Sequence, residues 1–427
     1  MIPICRLGTI GRLALLIPGI LGALGASGEV TQPKAAIDYD IIYVRQPRPH
    51  GDRQPRWPDF ERPYHAEPGS DLVLLRPDGS ERILADTTED AVIDPAISFD
   101  GRQVFFAVLY RPDEDIGRNP HKSGGADLFR LNIATGRGRQ LTFDGRDGVF
   151  NTGPWPLPGD RLVWTSTRSE LKAVKARRRW VSQLWTMDLD GTNVERITPM
   201  THQSVLHPMV LKDGRIAFST MEGQGNRSMQ LWGVWAIYPD GRHWEPLMSA
   251  FNRGNGFHFM TQLSQGNLVV NDYYRLNNFG FGSLYRFPAS SNYGTPFFHG
   301  ADGGEGFITN RYGKALPFAP RGTVDLAPWA NSSDQPARKP KGCEDNACRV
   351  GKLTHPSAAP DNDLLVVWSP GSVNAKGHQL PWPDSGLYII DQGEPVASPK
   401  ELYLVKNDPA YSEAWPRAVL PYRDIYG

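Results

Sequence analysis

Cysteine is scarce in this sequence, and several motifs that mark catalytic or cofactor-binding domains are missing. There are only three cysteines in 427 residues, and no C-x-x-C-H motif that would attach a haem covalently. There is also no G-x-S-x-G nucleophile motif and no glycine-rich phosphate-binding loop. The sequence therefore carries no local signature of a c-type haem protein, an α/β-hydrolase or a nucleotide-binding domain. An active site built from residues scattered along the chain leaves no such motif, so an enzyme is not excluded.

The sequence also has no excess of charge of either sign, because 46 basic residues balance 46 acidic ones. Nucleic acid and anionic membranes are therefore not expected as main partners. No long stretch shows apolar residues at helical spacing. Glycine (44 residues) and proline (37 residues) are abundant, and aromatic residues make up 11% of the chain. This composition predicts many short strands joined by turns, which is an all-β fold.

The first 28 residues are interpreted as a secretory signal peptide. Arg6 and Arg12 give a positive start, the apolar run LALLIPGILGAL follows, and the small residues GASG come next. The alternative is an anchoring helix, which needs about 20 apolar residues without an internal Pro-Gly pair. We therefore expect a protein that is cleaved near residues 26–28, is periplasmic or secreted, and has no membrane insertion.

Removal of the signal peptide would leave Cys343 and Cys348 as the only cysteines. In an oxidising compartment, this C-x4-C pair is expected to form a local disulfide, which would stabilise the fold by about 2 kcal/mol. Haem attachment is the alternative, but the spacing is too long and Arg349 stands where the ligand histidine would be needed.

A four-strand unit recurs along the chain. Each copy starts with an X-Pro dipeptide, continues through a polar turn and an apolar strand, and ends with two strands around a glycine turn. The X-Pro dipeptides are Asp94-Pro95, Gly153-Pro154, His207-Pro208 and His355-Pro356, and a degenerate copy starts at Phe257. A single sheet of this kind cannot bury both faces, whereas radially stacked sheets cover one another.

The two ends of the mature chain together supply the strands of one more unit. DIIYVRQP, DLVLLRPDG and SERILAD lack a first strand, and EAWPRAVLPYR near the C-terminus, with Trp415-Pro416, offers one. We therefore predict a six-bladed β-propeller over residues 29–427, closed by strands from both chain ends, with a long insertion at residues 291–350.

The blades resemble those of TolB-type propellers, which read roughly HPxWSPDG followed by IYxxDxDGxxxxxLT. Longer segments, such as LHPMVLKDGRIAFSTMEGQG and THPSAAPDNDLLVVWSPG, are similar to the propeller region of hydrazine synthase α-subunit-like proteins. Those are secreted bacterial proteins in which a propeller precedes c-type haem domains. Because C-x-x-C-H motifs are missing here, the resemblance implies a fold, a compartment and a scaffold-like role, with no cofactor expected.

The X-Pro positions also supply the first candidate site. The first strand of each blade is innermost in a propeller, so Asp94, His207 and His355, with His258 in the degenerate unit, are expected to converge at one mouth of the central channel. Neutral imidazoles and a carboxylate could hold a metal ion or a small polar ligand there. Alternatively, each side chain caps the turn of its own blade.

A second candidate site is the polar, aromatic and glycine-rich segment from Asn271 to Gly282. Its groups for stacking and hydrogen bonding are Tyr273, Tyr274, Asn277 and Asn278. Such groups on a loop are typical of surfaces that bind carbohydrate or peptide. The alternative is an irregular blade whose amides satisfy exposed backbone groups.

Two further segments stand out. The insertion from Ser291 to Val350 holds many aromatic residues and is interpreted as a lid, as a docking arm or as a packed surface excursion. The basic run from Leu171 to Trp180 is either a solvated loop tip or a contact for an acidic partner.

These features leave three functions open. The leading hypothesis is a non-catalytic propeller that binds a protein partner or a small polar ligand. The alternative is a channel-centred hydrolase or lyase that uses His207, His258, His355 and Asp94, with or without a metal. The third, which follows from the resemblance, is a subunit or paralogue in a redox complex whose haems lie on another chain.

Overall fold

The structure is a computed structural model that describes most of the chain beyond residue 31. The described residues are 32–48, 56–60, 62–112, 124–172, 180–199, 204–221, 232–248, 255–274, 279–288, 322–333, 335–342, 348–373 and 383–427. The predicted signal peptide, Cys343, Asn277 and Asn278 therefore lie outside them.

Short β-strands make up nearly all of the regular structure. The first three are β1 (Ile41–Pro47), β2 (Asp71–Leu75) and β3 (Glu81–Ala85). The next four are β4 (Ala91–Ile97), β5 (Gln103–Leu109), β6 (Ala126–Asn132) and β7 (Gly138–Gln140). They are followed by β8 (Asn151–Leu157), β9 (Arg161–Ser166), β10 (Gln183–Asp188) and β11 (Glu195–Arg196).

The second half continues in the same way. It contains β12 (Val205–Val210), β13 (Ile216–Met221), β14 (Trp232–Ile237), β15 (Glu245–Met248), β16 (Asn255–Gln262), β17 (Asn267–Tyr274), β18 (Ser283–Pro288) and β19 (Val324–Asp325). The last strands are β20 (Lys352–Ala358), β21 (Leu364–Ser369), β22 (Gly386–Ile390), β23 (Tyr403–Lys406) and β24 (Tyr411–Ala418). The described helices are the five-residue α1 (Tyr422–Tyr426) and single 3₁₀ turns at Gly145–Asp147, Pro360–Asn362, Asp391–Gly393 and Pro399–Glu401.

The predicted all-β fold is confirmed: the strands pair antiparallel in groups of four, in chain order. Separate sheets hold β4 to β7, β8 to β11, and β20 to β23. The groups β12 to β15 and β16 to β19 are linked into one larger sheet by a single parallel pairing of Trp232 with Gly256. The remaining sheet joins the two ends of the described chain, because β24 pairs with β1, which continues through β2 to β3.

Tight glycine turns connect many of the paired strands. Between β12 and β13, Gly214 has a φ of 88° and its N–H donates to Leu211 O, while the side chain of Asp213 accepts from the N–H of Arg215. Gly241 makes the corresponding turn after β14, with a φ of 83°. Asp-Gly suits such turns because the carboxylate bonds to the backbone and glycine adopts positive φ without a steric penalty.

The apolar core lies between neighbouring sheets. One cluster joins Val163 and Leu184 to Ile216 and Phe218, and others fill the spaces between the sheets that follow. Because sheets cover both faces of the inner strands, β21 (LLVVWS) is buried along its whole length. The outer strands β7 and β11 are largely exposed. The last strand of each unit is the least buried.

The first strands of the units also contact one another in sequence. The contacts run from β4 to β8, then to β12, β16, β20 and β24, and β24 in turn contacts β4.

The predicted insertion at residues 291–350 is partly an element of a sheet rather than a separate excursion. Val324 and Asp325 pair with Arg286 and Tyr285 and so form the outer strand of the degenerate unit. Trp329 is 7% exposed, and its Nε1–H donates to Val396 O at 3.0 Å. The repeat did not reveal this strand because more than thirty residues separate it from its partner β18. In the described part of the chain, no helix is long and apolar enough to cross a membrane.

Candidate functional site

Each first strand carries a β-bulge at the X-Pro position or, in the degenerate unit, at the equivalent position. The pairing register shifts there in all six four-strand groups, and one residue in each bulge has positive φ. These bulge residues are Asp94 (55°), Gly153 (60°), His207 (50°), Phe259 (43°), His355 (46°) and Trp415 (49°). Proline follows five of them, which suits a position where the hydrogen-bond ladder is interrupted because proline has no N–H.

The six bulge residues line one pocket, which we call the bulge pocket. It is a small cavity of about 30 Å³ that is partly open to solvent. The remaining lining residues are Pro95, Pro154, Trp155, Pro208, Met209, Met260, Pro356 and Arg417. A bulge re-aims a side chain out of the sheet, and here all six bulges, five of which carry side chains, border the same space.

A chain of polar side chains leads from the bulge pocket into the core. Nε2 of His207 lies 3.2 Å from Asp94 Oδ1, an electrostatic contact rather than a well-aligned hydrogen bond. Nδ1 of His207 is hydrogen-bonded to Nε2 of His258 at 2.6 Å, and Nδ1 of His258 to Tyr273 Oη at 2.7 Å. The N–H of Phe60 donates to the same Tyr273 oxygen at 3.0 Å. Asp94 is fixed from its other side, where Gly153 N–H donates to Oδ2 at 3.0 Å.

One set of neutral histidine tautomers fits this chain. In this set Tyr273 O–H donates to His258 Nδ1, so the His258 proton sits on Nε2 and points to His207 Nδ1. The His207 proton then sits on Nε2 and faces the Asp94 carboxylate. Burial is the main cause that lowers the pKa of His258 well below its ordinary value, with His207 and His355 contributing. A neutral His258 satisfies both of its hydrogen bonds, to Tyr273 and to His207.

His355 lies among aromatic rings instead of polar groups. Its ring centroid is 4.0 Å from that of Phe259 and 4.4 Å from that of Trp415. It is 1% exposed, and neither ring nitrogen has a hydrogen-bond partner among the described residues. Burial lowers the pKa of His355 well below its ordinary value, with smaller contributions from His207 and Arg417. The imidazole is therefore neutral and offers one N–H donor and one acceptor.

Arg417 brings a cation to the bulge pocket, two residues beyond Trp415. Its Nε–H donates to Pro95 O and its Nη1–H to Pro416 O, both at 2.9 Å. The guanidinium also lies 5.6 Å from the centre of the Trp155 ring. Burial lowers the pKa of Arg417 to about 10, although Asp94 acts in the opposite direction. Arg417 stays charged at neutral pH, without a carboxylate within 4 Å among the described residues.

Two aromatic residues from the segment between β1 and β2 pack against this group. Trp57 contacts Phe281 and His355, and Phe60 lies 4.5 Å from His258 and 4.6 Å from Tyr273, centroid to centroid. Sequence reasoning missed Trp57, Phe60, Trp155 and Arg417. The only available signal was that WPDF places two aromatics in a loop that the repeat does not explain.

Two expectations about the histidines need correction. Phe259, not His258, occupies the repeat position in the degenerate unit; His258 precedes it and points toward Tyr273. The proposed caps of each blade's own turn are also absent: His207 contacts Asp94 and His258 from other units, and both His355 nitrogens lack partners. The interruption in a strand, rather than a local turn, fixes the backbone at these positions.

The second candidate site is placed differently from its prediction. Tyr273 and Tyr274 end strand β17 instead of lying on a loop, and Tyr273 is fully buried. The side chain of Asn271 bonds to Gly280 O and to Thr354. Tyr273 therefore belongs to the polar chain below the bulge pocket. Because Asn277 and Asn278 are not described, a binding role for them stays a prediction.

A metal centre finds no geometric support among the described residues, where no group of three His, Cys, Asp or Glu side chains is placed to hold an ion. The Cys343–Cys348 disulfide stays a prediction because Cys343 is not described. Most of the basic run from Leu171 to Trp180 also lies outside the described residues, so its role stays a prediction. Near its two ends, Lys172 Nζ lies 5.7 Å from the centre of the Trp180 ring.

No protein-family model matches this sequence, and no curated protein matches it either. Among solved structures, the chain is similar to hydrazine synthase from Kuenenia stuttgartiensis, with a TM-score of 0.61, 16% identity and coverage of 92% of this chain. The chain spans about half of that protein, 48% of its length. Weaker likenesses include TolB from Acinetobacter baumannii, with a TM-score of 0.45, 13% identity and coverage of 90% of this chain and 67% of TolB.

At this level of identity the likeness to hydrazine synthase concerns the fold. Together with the antiparallel four-strand groups, it establishes a β-propeller fold for this chain.

Proposed function

We propose that this protein is an exported six-bladed β-propeller that binds a small polar ligand in the bulge pocket and acts as a binding or scaffold protein. The six blades are the six four-strand groups. Two observations support a closed ring: β24 pairs with β1, and the sequence of contacts between first strands returns from β24 to β4. Export rests on the predicted signal peptide in residues 1–28.

The convergence of the six bulge residues on one pocket carries the binding proposal. Folding alone requires each bulge only to shape its own strand, yet the pocket collects a carboxylate, two imidazoles and a guanidinium. Ligand sites in proteins commonly combine apolar walls with a few convergent polar groups. The bulge pocket has this composition, with proline and aromatic walls and these four polar groups, and its small volume suits a small ligand.

The binding proposal is tested by a fragment screen on the full chain with ligand-observed NMR. Met209 lines the bulge pocket and is 1% exposed, so Met209→Trp should fill part of the space and abolish the binding of most hits. Phe143→Trp is the control, because Phe143 is 72% exposed and does not line the pocket. Retention of all hits by Met209→Trp, or a screen without hits, contradicts a ligand site here.

A second candidate function, a channel-centred hydrolase or lyase, is favoured by the Asp94–His207–His258–Tyr273 chain. A carboxylate that orients an imidazole, which is held by further hydrogen bonds, is an arrangement used in general acid–base catalysis. The test compares the wild type with His207→Ala on chromogenic esters, phosphates and glycosides. Turnover that this substitution removes would favour the enzyme, while unchanged background rates would favour the binding protein.

We also propose that the protein is a haem-free subunit or paralogue in a complex like that of hydrazine synthase α-like proteins. The likeness of the fold and the segments quoted from the sequence support this proposal. Affinity capture of the tagged protein from periplasm should then co-purify a c-type cytochrome, detected by haem staining. If the protein is recovered without any haem-containing partner, the redox-complex proposal is wrong, while ligand binding remains testable by itself.

A further inference from the structure

Counting the N–H groups of Arg417, the bulge pocket has more hydrogen-bond donors without a described partner than acceptors without one. Trp415 is 1% exposed, and its Nε1–H has no partner among the described residues. The neutral His355 contributes a further N–H without a partner, and its other ring nitrogen is an acceptor without a partner. Arg417 uses its Nε–H and one Nη1–H for backbone carbonyls, and the rest of its five N–H groups have no described acceptor. Buried donors are normally paired, so a surplus at one pocket points to a ligand that brings acceptors.

The acceptors on the protein side are few. Among the described residues, Asp94 is the only carboxylate that lines the bulge pocket; Oδ2 accepts from Gly153 N–H, while Oδ1 faces Nε2 of His207 without a hydrogen bond. A cationic ligand would therefore meet a single carboxylate, one oxygen of which already accepts from Gly153, and the opposing charge of Arg417. An anion would meet a guanidinium without a carboxylate partner and two neutral N–H donors. The balance of groups favours an anion.

The pocket also limits the charge of the anion that it can bind. A single guanidinium matches one carboxylate through two parallel N–H donors. The Asp94 carboxylate in the same pocket opposes a second negative charge, which disfavours a phosphate or sulfate dianion. The walls, formed by Trp155, Phe259, Trp415 and several prolines, favour a flat apolar body behind the charged group.

We infer that the bulge pocket binds a small monocarboxylate with a flat apolar body, and that Arg417, His355 and Trp415 hold its carboxylate. This inference rests on the proposed function, because it names the ligand class for the same pocket. Arg417 supplies charge and orientation, while the other two residues supply neutral N–H donors.

The test measures calorimetric binding of benzoate and of benzamide, its uncharged analogue of similar shape, to the full chain at neutral pH. Benzoate should bind about tenfold tighter or more, since hydrogen bonds with an ionised partner are the stronger kind. In Arg417→Gln, the ratio of the two affinities should fall to about one. Arg417→Lys should keep part of the preference, because it keeps the charge but loses the planar fork.

Arg286→Gln is the matched control, since Arg286 is a mostly buried arginine that pairs with Glu394 and does not line the pocket. It should leave the ratio unchanged. Circular dichroism and thermal melting of each variant establish that it folds. If Arg417→Gln does not fold, the test uses Arg417→Lys and His355→Phe, both of which should bind benzoate more weakly than the wild type.

Equal affinity for benzoate and benzamide, or an unchanged ratio in folded Arg417 variants, overturns the inference. Absence of benzoate binding to the wild type overturns it too. The proposed function survives these results if neutral fragments still bind and Met209→Trp removes them, and fails with the inference if nothing binds.

Discussion

His207 Nδ1 lies 2.6 Å from His258 Nε2, although the two residues are 51 positions apart and belong to first strands of different units. Each imidazole is fixed from its far side as well, His207 by Asp94 and His258 by Tyr273. The pair therefore connects the bulge pocket to two buried aromatic residues, Tyr273 on β17 and Phe60 in the segment between β1 and β2. Changes to either end of this chain should be measurable as stability or as pH dependence.

Tyr273→Phe should destabilise the protein by about 1–3 kcal/mol, because it leaves both the Phe60 N–H and the His258 Nδ1 atom without that partner. Equilibrium unfolding in urea measures the change. Tyr403→Phe removes a hydroxyl from a tyrosine that is 38% exposed and should cost much less. Equal losses in both variants would contradict a structural role for the chain.

The stability of the protein should fall as the pH drops below about 6.5. Unfolded histidines take up protons there, whereas burial holds the pKa of folded His258 and His355 well below that range. The unfolded state then binds more protons, so each histidine removes up to ~1.4 kcal/mol of unfolding free energy per pH unit.

Replacement of one of these histidines tests the assignment. His355→Phe keeps a ring among the neighbouring rings and should reduce the acid-side slope by one proton. The exposed His243 is the control, and His243→Phe should leave the slope as in the wild type. Urea unfolding from pH 5 to pH 7 gives the slopes. An unchanged slope in His355→Phe would show that His355 is accessible to protons when folded.

Glu413 should produce the opposite pH dependence at higher pH. Burial raises its pKa to about 8, and Oε2 has no hydrogen-bond partner among the described residues. The folded state keeps this proton while the unfolded state has lost it, so wild-type stability should fall as pH rises from about 5 to 8.

Glu413→Gln removes this ionisation and keeps an oxygen for the bond from Asp408 N–H. The variant should gain stability over the wild type by up to ~1.4 kcal/mol per pH unit through this window. Glu394→Gln is the control, because the Glu394 side chain is 60% exposed. If the difference in unfolding free energy between Glu413→Gln and the wild type does not change with pH, Glu413 does not have a raised pKa in the folded protein.

Gly153→Ala should cost more than Gly159→Ala, although both glycines have positive φ, 60° and 79°. A Cβ at Gly153 would lie 3.0 Å from Pro208 Cδ of the next unit, whereas a Cβ at Gly159 meets nothing within 4 Å. Alanine at positive φ costs about 1 kcal/mol, and the tight contact should add roughly as much again. Thermal melting of the two variants checks this order, and equal costs would mean that the bulge relaxes.

Truncation after Asp408 should prevent cooperative folding, because it removes β24 and leaves the edge of β1 unpaired. Truncation after Val419 keeps β24 and should retain a single melting transition. Size-exclusion chromatography and calorimetry compare the two. A soluble chain that ends at Asp408 and melts like the wild type would contradict the proposed ring closure.

The repeat in the sequence indicated most of the strand order and the position of the interrupted first strand in five of the six units. Proline cannot donate to a sheet ladder, so the X-Pro dipeptides at Asp94, Gly153, His207, His355 and Trp415 mark interrupted first strands, where the structure has them. The degenerate unit lacks that proline. There, the sequence indicated the right strand but not whether His258 or Phe259 occupies the bulge.

The contacts between units were decided only by the tertiary structure. Arg417 meets Pro95 across 322 positions, and Phe60 meets Tyr273 across 213. A local pattern predicts which face of a strand a residue occupies, because side chains alternate with a period of two. Which residues from different units touch depends on how the sheets pack around one another, and no spacing along the chain encodes that. For this reason the sequence indicated most of the pocket's bulge residues, whereas the arginine, the donor surplus and the direction of the histidine chain required the fold.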